Sequence, residues 1–405
     1  MRLALFGSFY PGTQKAGNSS TGMCVLLSRR TDVHRIDLFV PRGSELPRTA
    51  DCSKIVLHPD WEHDNSLSLL RCLRRLLAVA KGVDGYLFNV HMTSFGTRMS
   101  VNGVGLCLPP IVAKVTRKPV VTYMHNFFST QDVSRLGYTP GRLATWAARA
   151  LERLLLRTTT VVVPLESQRT TLKARYGAEV RAVFVPYLEC IHAALALGSY
   201  GRSPDPEGRV RVLMFGHWGP QKDLPGALEA LREVMRRNPL VKVTVAGERN
   251  VNFLDYPDPN QQSFISAHST GVDWLGRVHE DDLGSVFLAS DLFLLPYVST
   301  GGYSGGMNAA APWGLAVLSY DQRQLRETAD LLGLRVSFTK AEGPETLAAD
   351  LEVAIASSSR NRNPVLAPDA IVSDSQLAMD TLVSMLATLP ESKGSERAPV
   401  AEREP

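Results

Sequence analysis

The chain is 405 residues long, 44% hydrophobic and 21% charged, enough for two ordinary domains and a composition that excludes a disordered or fibrous protein. No stretch approaches the roughly 18–20 uninterrupted apolar residues of a membrane span. The five cysteines (Cys24, Cys52, Cys72, Cys107, Cys190) are far apart and form no CxxC, which argues against a disulfide framework or zinc site and reads as small buried hydrophobes in a reducing cytosol.

The net charge of +4 conceals an imbalance, because residues 1–195 hold 25 Lys and Arg against 13 Asp and Glu, whereas residues 196–405 hold 19 against 27. The first half is therefore the one expected to face an anionic partner. An unevenly charged surface is the plainer alternative.

In chain order, MRLALFGSFYPG carries one Arg and a short apolar run before Gly7, which reads as a buried first strand rather than a secretion signal. Further strands are predicted at RIDLFV, KIVLH, GYLFNV, PVVTYMH, TTVVVP and RAVFVPY, then at VRVLMFG, VKVTVAGE, VDWLG, LFLLPY and LAVLSY. Helices are predicted over Ser66–Ala80, Arg142–Leu156, Leu224–Arg237, Asp281–Ser290 and Thr346–Ala356. This alternation is the signature of parallel sheets with crossover helices, so the fold class is α/β with two doubly wound parallel-sheet domains facing an interdomain cleft. The Gly-, Pro- and Ser-rich run Ala196–Arg209 separates a first domain, 1–195, from a second, 210–370. A helix over 371–389 is expected to return toward the first domain, and 390–405 is a loose tail unable to bury apolar area.

Two loops carry chemistry. In FGHWGPQKDLPGALEAL, a strand ends at Gly216, a loop holds His217 and Lys222, and a helix starts near Leu224 with Asp223 as its N-cap. Loop amides, a helix N-terminus and a lysine suit a phosphate; an ordinary strand-to-helix turn with a solvated lysine is the alternative. In GGYSGGMNAAAPWG, five of fourteen residues are glycine and none is charged. Tyr303, Ser304 and Asn308 offer neutral donors and acceptors beside the glycine backbones of Gly302, Gly305 and Gly306, an arrangement for the hydroxyls and diphosphate of a sugar nucleotide.

The second half, over about Arg209–Ile355, resembles the donor-binding domain of family 4 glycosyltransferases, the retaining GT-B enzymes. The likeness is carried in order by G-x5-K at Gly216–Lys222, VKVTVAGE, VDWLGRV, DDLGSVFLASDLFLLPY and the glycine-rich loop ending WGLAVLSYD. In the first half, FYPGTQKAGNSSTG resembles the family's glycine-rich loop, with Gly17, Asn18 and Ser19 at its tip. TYMHNFF resembles the strand end bearing a histidine that contacts the donor sugar, here His125 followed by Asn126. The resemblance implies two Rossmann-like domains, the first binding acceptor and the second binding a UDP- or GDP-linked sugar, with Arg277 lining the base pocket. It implies no metal and no cofactor beyond the donor itself.

Two departures accompany this likeness. The family's paired glutamates fall on Gly301 and Ala309, and no Asp or Glu occurs between Asp291 and Asp321. The family's diphosphate-binding lysine matches Lys222, but its arginine position holds His217. In a retaining transfer the leaving diphosphate oxygen can take the acceptor's proton. The protein then has only to stabilise charge growing on the diphosphate, through Lys222, loop amides and helix N-termini. Asn308 is expected to stand in for one carboxylate.

The cluster HPDWEHD (58–64) has metal-ligand residue types but reads better as a polar loop. Two helices are basic and amphipathic: Leu67–Lys81, with Arg71, Arg74 and Arg75, and Arg142–Arg157. Each reads first as a crossover helix packed on the sheet, and second as a surface lying on an anionic membrane. Acceptors of the family are often lipid-linked or polymeric glycans, which suggests a cytoplasmic protein peripheral to the membrane. No nucleic-acid reader motif is present. The competing functions are a catalytically silent GT-B partner subunit and a sugar-nucleotide epimerase.

Overall fold

The computed structural model describes residues 1–9, 15–46, 51–134, 139–186, 205–250, 253, 255–259, 262–268, 271–279, 282–339, 343–358, 363 and 368–387. Cys190, most of the expected linker and the tail 390–405 lie outside the described residues.

Apolar runs without alternation make strands buried on both faces. RLALFG (β1, Arg2–Gly7) and GYLFNV are of this kind. Seven parallel strands form the first sheet: β1, β2 (Arg35–Pro41), β3 (Ile55–Trp61), β4 (Gly85–Val90), β5 (Val120–Met124), β6 (Thr160–Val163) and β7 (Arg181–Ala182), in the order β3-β2-β1-β4-β5-β6-β7. Six more form the second: β8 (Val210–Phe215), β9 (Val241–Ala246), β10 (Val272–Gly276), β11 (Leu292–Leu295), β12 (Ala316–Tyr320) and β13 (Val336–Thr339), ordered β10-β9-β8-β11-β12-β13. Each sheet is doubly wound, and each has one point where the chain reverses its direction of strand addition. In the first it lies between β1 and β4, in the second between β8 and β11. Beyond the carboxyl ends of strands at such a point, helices diverge and leave a crevice.

On one face of the first sheet, helices Lys15–Arg29 and Pro368–Ala387 pack together. The last helix thus belongs to the first domain's core, with Met379, Leu382 and Leu386 against β4 and β5. The other face carries helices Ser66–Ala78, Met99–Leu106, Leu108–Thr116 and Arg142–Thr158. Phe6 stacks there on Trp61 at 5.7 Å. The second sheet is covered by Leu224–Arg237 and Pro344–Ser357 on one side. Leu283–Leu288, Gly305–Ala310 and Arg323–Leu331 cover the other.

Several expectations need correction. The loop expected to display Gly17, Asn18 and Ser19 at its tip ends earlier, because a helix begins at Lys15 and these residues fall in its opening turns. The buried stripe of helix Ser66–Ala78 is Ser68, Leu69, Cys72 and Leu76, and Arg71, Arg74 and Arg75 lie outside it. Cys52 is exposed, unlike the buried Cys24 and Cys72. The HPDWEHD residues disperse to separate partners: His58 to Asp37, Asp60 to Arg75, Glu62 to Arg42, and Asp64 to the Arg98 amide.

Candidate functional site

The two switch points supply the candidate residues. At the first, β4 carries a buried Asn89 one residue before the strand's end, whose Nδ2 donates to Ser20 Oγ at 2.7 Å. With the amide so fixed, Asn89 Oδ1 accepts from His125 Nε2 at 2.8 Å. Gly7 makes room, since a Cβ there would collide with Ser20 Oγ. His125 is buried, and burial, aided by nearby His91, pushes its pKa down to about 3. It is therefore a neutral imidazole, and with Nε2 donating to Asn89 its lone pair lies on Nδ1. It is not an acid near neutral pH. Asn126 turns its Oδ1 to the Met92 amide at 3.0 Å. Ser19 is fully buried, and its Oγ finds no hydrogen-bond partner among the described residues.

At the second switch point, β8 runs into Gly216, which has φ 139°, and β9 runs into Gly247, φ 113°. A Cβ at Gly247 would collide with the Gly216 carbonyl, so the two backbones touch where side chains would keep them apart. Asp223 caps helix Leu224–Arg237 by accepting from the Gly226 amide at 3.0 Å. Its own amide bonds Pro296 O at 2.8 Å, tying the loop to the end of β11. Lys222 is thereby drawn inside: only 1% exposed, with its ammonium 4.8 Å from the Tyr297 ring centroid and 5.3 Å from that of Trp218. A Cβ at Gly216 would strike that ammonium. Cation–π contact holds the charge on the aromatic wall of the loop. His217 is half-buried, its Nδ1 3.9 Å from Glu248 Oε1.

The glycine-rich loop joins the two points. Ser304 caps helix Gly305–Ala310 by accepting from the Met307 amide at 3.2 Å, and it hydrogen-bonds the hydroxyl of buried Tyr297. Burial pushes the Tyr297 pKa upward, so that phenol stays neutral. Gly306 lies under the same phenol, and a Cβ there would stand 3.1 Å from the Tyr297 hydroxyl oxygen. Tyr303 reaches across the cleft, its ring 5.6 Å from the His125 ring and 5.5 Å from Phe184. Gly302 lies so close to the first domain that a Cβ would come within 2.5 Å of the His125 carbonyl. At Gly301 a Cβ would collide with the Gln131 side chain, so an amide of the first domain occupies the room a carboxylate there would need. Ala309 is buried. Asn308 is also buried and donates from Nδ2 to Ser304 O at 3.3 Å. One N–H of its amide is thus tied to its own helix.

A second interdomain contact lies beside this loop. Glu327, on helix Arg323–Leu331, accepts from the amides of Glu166 and Ser167, the latter at 3.2 Å. It caps a helix of the other domain, Glu166–Tyr176. Its neighbour Thr328 accepts from the Ser304 amide at 3.4 Å.

The structure therefore gathers His125, Asn126, Gly302, Tyr303 and Ser304 around one cleft, with Gly216, Lys222, Gly305 and Gly306 on its second-domain wall. Arg277 stands apart, exposed beyond β10, two strands from the switch point. Arg71, Arg74 and Arg75 are exposed on an outer helix. Sequence reasoning missed Asn89, Ser20, Gln131, Tyr297 and Glu327. Only Tyr297 carried a signal, as the last residue of a strand running into the glycine loop. Among the described residues, no cluster of three or more His, Cys, Asp or Glu is placed to hold a metal.

Residues 209–356 match the family model described as glycosyl transferases group 1. No curated protein matches the chain. Among solved structures, Anabaena HepE in complex with UDP and glucose is similar with a TM-score of 0.65 at 15% identity, covering 95% of this chain and 100% of that one. A glycosyltransferase from Rickettsia africae gives 0.66 at 11% identity, covering 96% and 99%. The UDP-GlcNAc 2-epimerase of Neisseria meningitidis bound to UDP-GlcNAc gives 0.57 at 12% identity, covering 95% and 100%. The architecture is GT-B, and its second domain carries the group 1 glycosyltransferase match.

Proposed function

We propose that the chain is a retaining glycosyltransferase of the family 4 kind, moving a sugar from a nucleoside diphosphate to a hydroxyl of a lipid-linked or polymeric glycan. One observation carries the reading. Lys222 and the glycine backbones of Gly216 and Gly247 meet at the second domain's switch point, facing a loop that bridges to His125.

In this reading the diphosphate lies over Gly216, against main-chain amides and the ammonium of Lys222, which stabilise the charge that grows as the glycosidic bond breaks. The phosphate oxygen released on the sugar's reacting face takes the proton of the incoming hydroxyl, so no carboxylate acts as base. His125, neutral and fixed by Asn89, accepts a hydrogen bond from a donor-sugar hydroxyl. Tyr303 and the loop glycines enclose the sugar. No metal is required, since the counter-charge belongs to the protein.

The test is a thermal-shift and turnover screen against UDP- and GDP-linked sugars, because a ligand of the native state raises the melting temperature by mass action. The expected result is stabilisation by one nucleotide class together with slow donor hydrolysis to free sugar and nucleoside diphosphate. Binding without hydrolysis points to a silent partner subunit. Conversion of the sugar with no acceptor points to an epimerase, and no stabilisation by any nucleotide removes the reading.

A further inference from the structure

Where the glycine loop meets the first domain it faces three carboxamides. Gly302 lies against the His125 carbonyl, which also accepts from Gln168 Nε2 at 2.9 Å. Gln168 Oε1 accepts from the Leu165 amide at 3.3 Å, so this side chain is bonded through both of its polar atoms. Asn126 is fixed as well. Its Oδ1 takes the Met92 amide at 3.0 Å, which leaves Nδ2 to face Gln131 at 3.4 Å. An N–H must meet an acceptor there, so the Gln131 atom turned to Asn126 is Oε1. The same oxygen rests on Gly301, where a Cβ would collide with it.

The remaining atom of the triad is Gln131 Nε2. Neither of its hydrogens has a partner among the described residues, whereas Asn126 and Gln168 each commit one. Gln131 is half-buried and closes the short turn Phe128–Thr130 that follows His125. An amide that served only to join the domains would gain by bonding through both atoms, as Gln168 does. Instead a group with two protons to donate stands beside the loop that carries Tyr303 and Ser304, in the space a side chain at position 301 would take.

We propose that Gln131 determines sugar specificity, its Nε2 donating to an oxygen of the donor sugar from the first-domain side of the cleft. The inference rests on the proposed function. Its chemical consequence follows from the type of group. A carboxylate projecting from position 301 would accept from sugar hydroxyls and repel an anionic sugar. A carboxamide nitrogen only donates, and it bonds best to a strong acceptor oxygen. The loop adds no opposing charge, since no Asp or Glu lies between Asp291 and Asp321 and His125 is neutral. Asp132, next to Gln131, is exposed and accepts from the Ser134 amide at 3.1 Å. The donor class is therefore a sugar that presents a carbonyl or carboxylate oxygen, as an acetamido or uronic acid sugar does, rather than hydroxyls alone.

The test is calorimetric titration of UDP, UDP-glucose, UDP-N-acetylglucosamine and UDP-glucuronic acid into the full chain and its variants. If GDP is the nucleotide held, GDP, GDP-mannose and GDP-mannuronic acid take their place. The wild type should bind an acetamido or uronate donor about tenfold more tightly than the plain hexose donor. Gln131→Ala should erase that margin while bare nucleotide binds within about twofold of wild type. Gln131→Glu should weaken the uronate donor about a hundredfold, more than any other. Gly301→Ala, whose methyl displaces the Gln131 oxygen, should reproduce the loss seen in Gln131→Ala.

The proposal is overturned if the wild type favours the plain hexose donor, or if Gln131→Ala leaves the preference among sugars unchanged. It is overturned equally if that variant weakens bare nucleotide by the same factor, the mark of an amide that only holds the fold. Unchanged preferences with nucleotide still bound remove this inference alone. A wild type that binds no nucleotide removes the donor-site reading and this inference with it.

Discussion

At the first domain's switch point the buried polar groups are neutral and satisfy one another, Ser20 to Asn89 to His125. At the second's, the buried group is an ammonium held on aromatic faces, beneath glycines that bring main chain close. The topology is the same and the chemistry is divided. A neutral relay can read hydroxyls without attracting phosphate, and a cation among backbone amides can hold phosphate without reading the sugar. On the proposed function, this separation would let a cleft loop with no acid serve, with orientation and charge stabilisation coming from opposite walls.

The comparison breaks first at Gly216. An alanine there meets the Lys222 ammonium and takes an unfavourable φ of 139°. Gly216→Ala should cut kcat/KM by about a hundredfold or more, the scale of losing one transition-state donor, while the isolated His125 relay stays intact.

Next comes the junction between the walls. Gly302→Ala would press a methyl onto the His125 carbonyl, holding the cleft open, and should raise donor KM about tenfold with an enlarged radius of gyration by small-angle scattering. Glu327→Gln should do the same more weakly, since it costs only the charge of one helix cap, about 1 kcal/mol.

The neutral wall shows itself in stability rather than in turnover. His125 keeps its imidazole uncharged in the fold, down to about pH 3, whereas the unfolded chain takes up that proton near 6.5. Between those values the unfolded state binds more protons, so stability falls as pH drops from 6.5 toward 3 and is fully present above 6.5. His125→Gln should flatten that part of the pH–stability curve measured by urea denaturation. An unchanged slope would mean the histidine is charged in the fold.

Much of the frame was legible because it rests on local signals. Unalternating apolar runs read correctly as two-face-buried strands, and Leu224–Arg237 was legible from its Asp223 cap, apolar stripe and terminal arginines. Other elements were hidden for identifiable reasons. Met99–Thr116 is apolar all round and carries Gly103, Gly105, Pro109 and Pro110, so no stripe distinguishes it. Glu166–Tyr176 is too polar to show a stripe and draws its N-terminal cap from the other domain.

The site divided likewise. Lys222 and the glycine loop were visible as motifs on strand ends, but Asn89 meets His125, Glu327 meets Glu166 and Gln131 meets Gly301, all between segments far apart in the chain. No window of sequence contains such pairs.

The central claim is that the second domain holds a nucleoside diphosphate through Lys222 and main-chain amides. Calorimetric titration of UDP and GDP into the wild type and into Lys222→Met, which keeps the side chain's bulk without its charge, tests it directly. Binding of one nucleotide by the wild type, weakened about a hundredfold in Lys222→Met at unchanged melting temperature, is the predicted result. Equal affinity in the two proteins would contradict it.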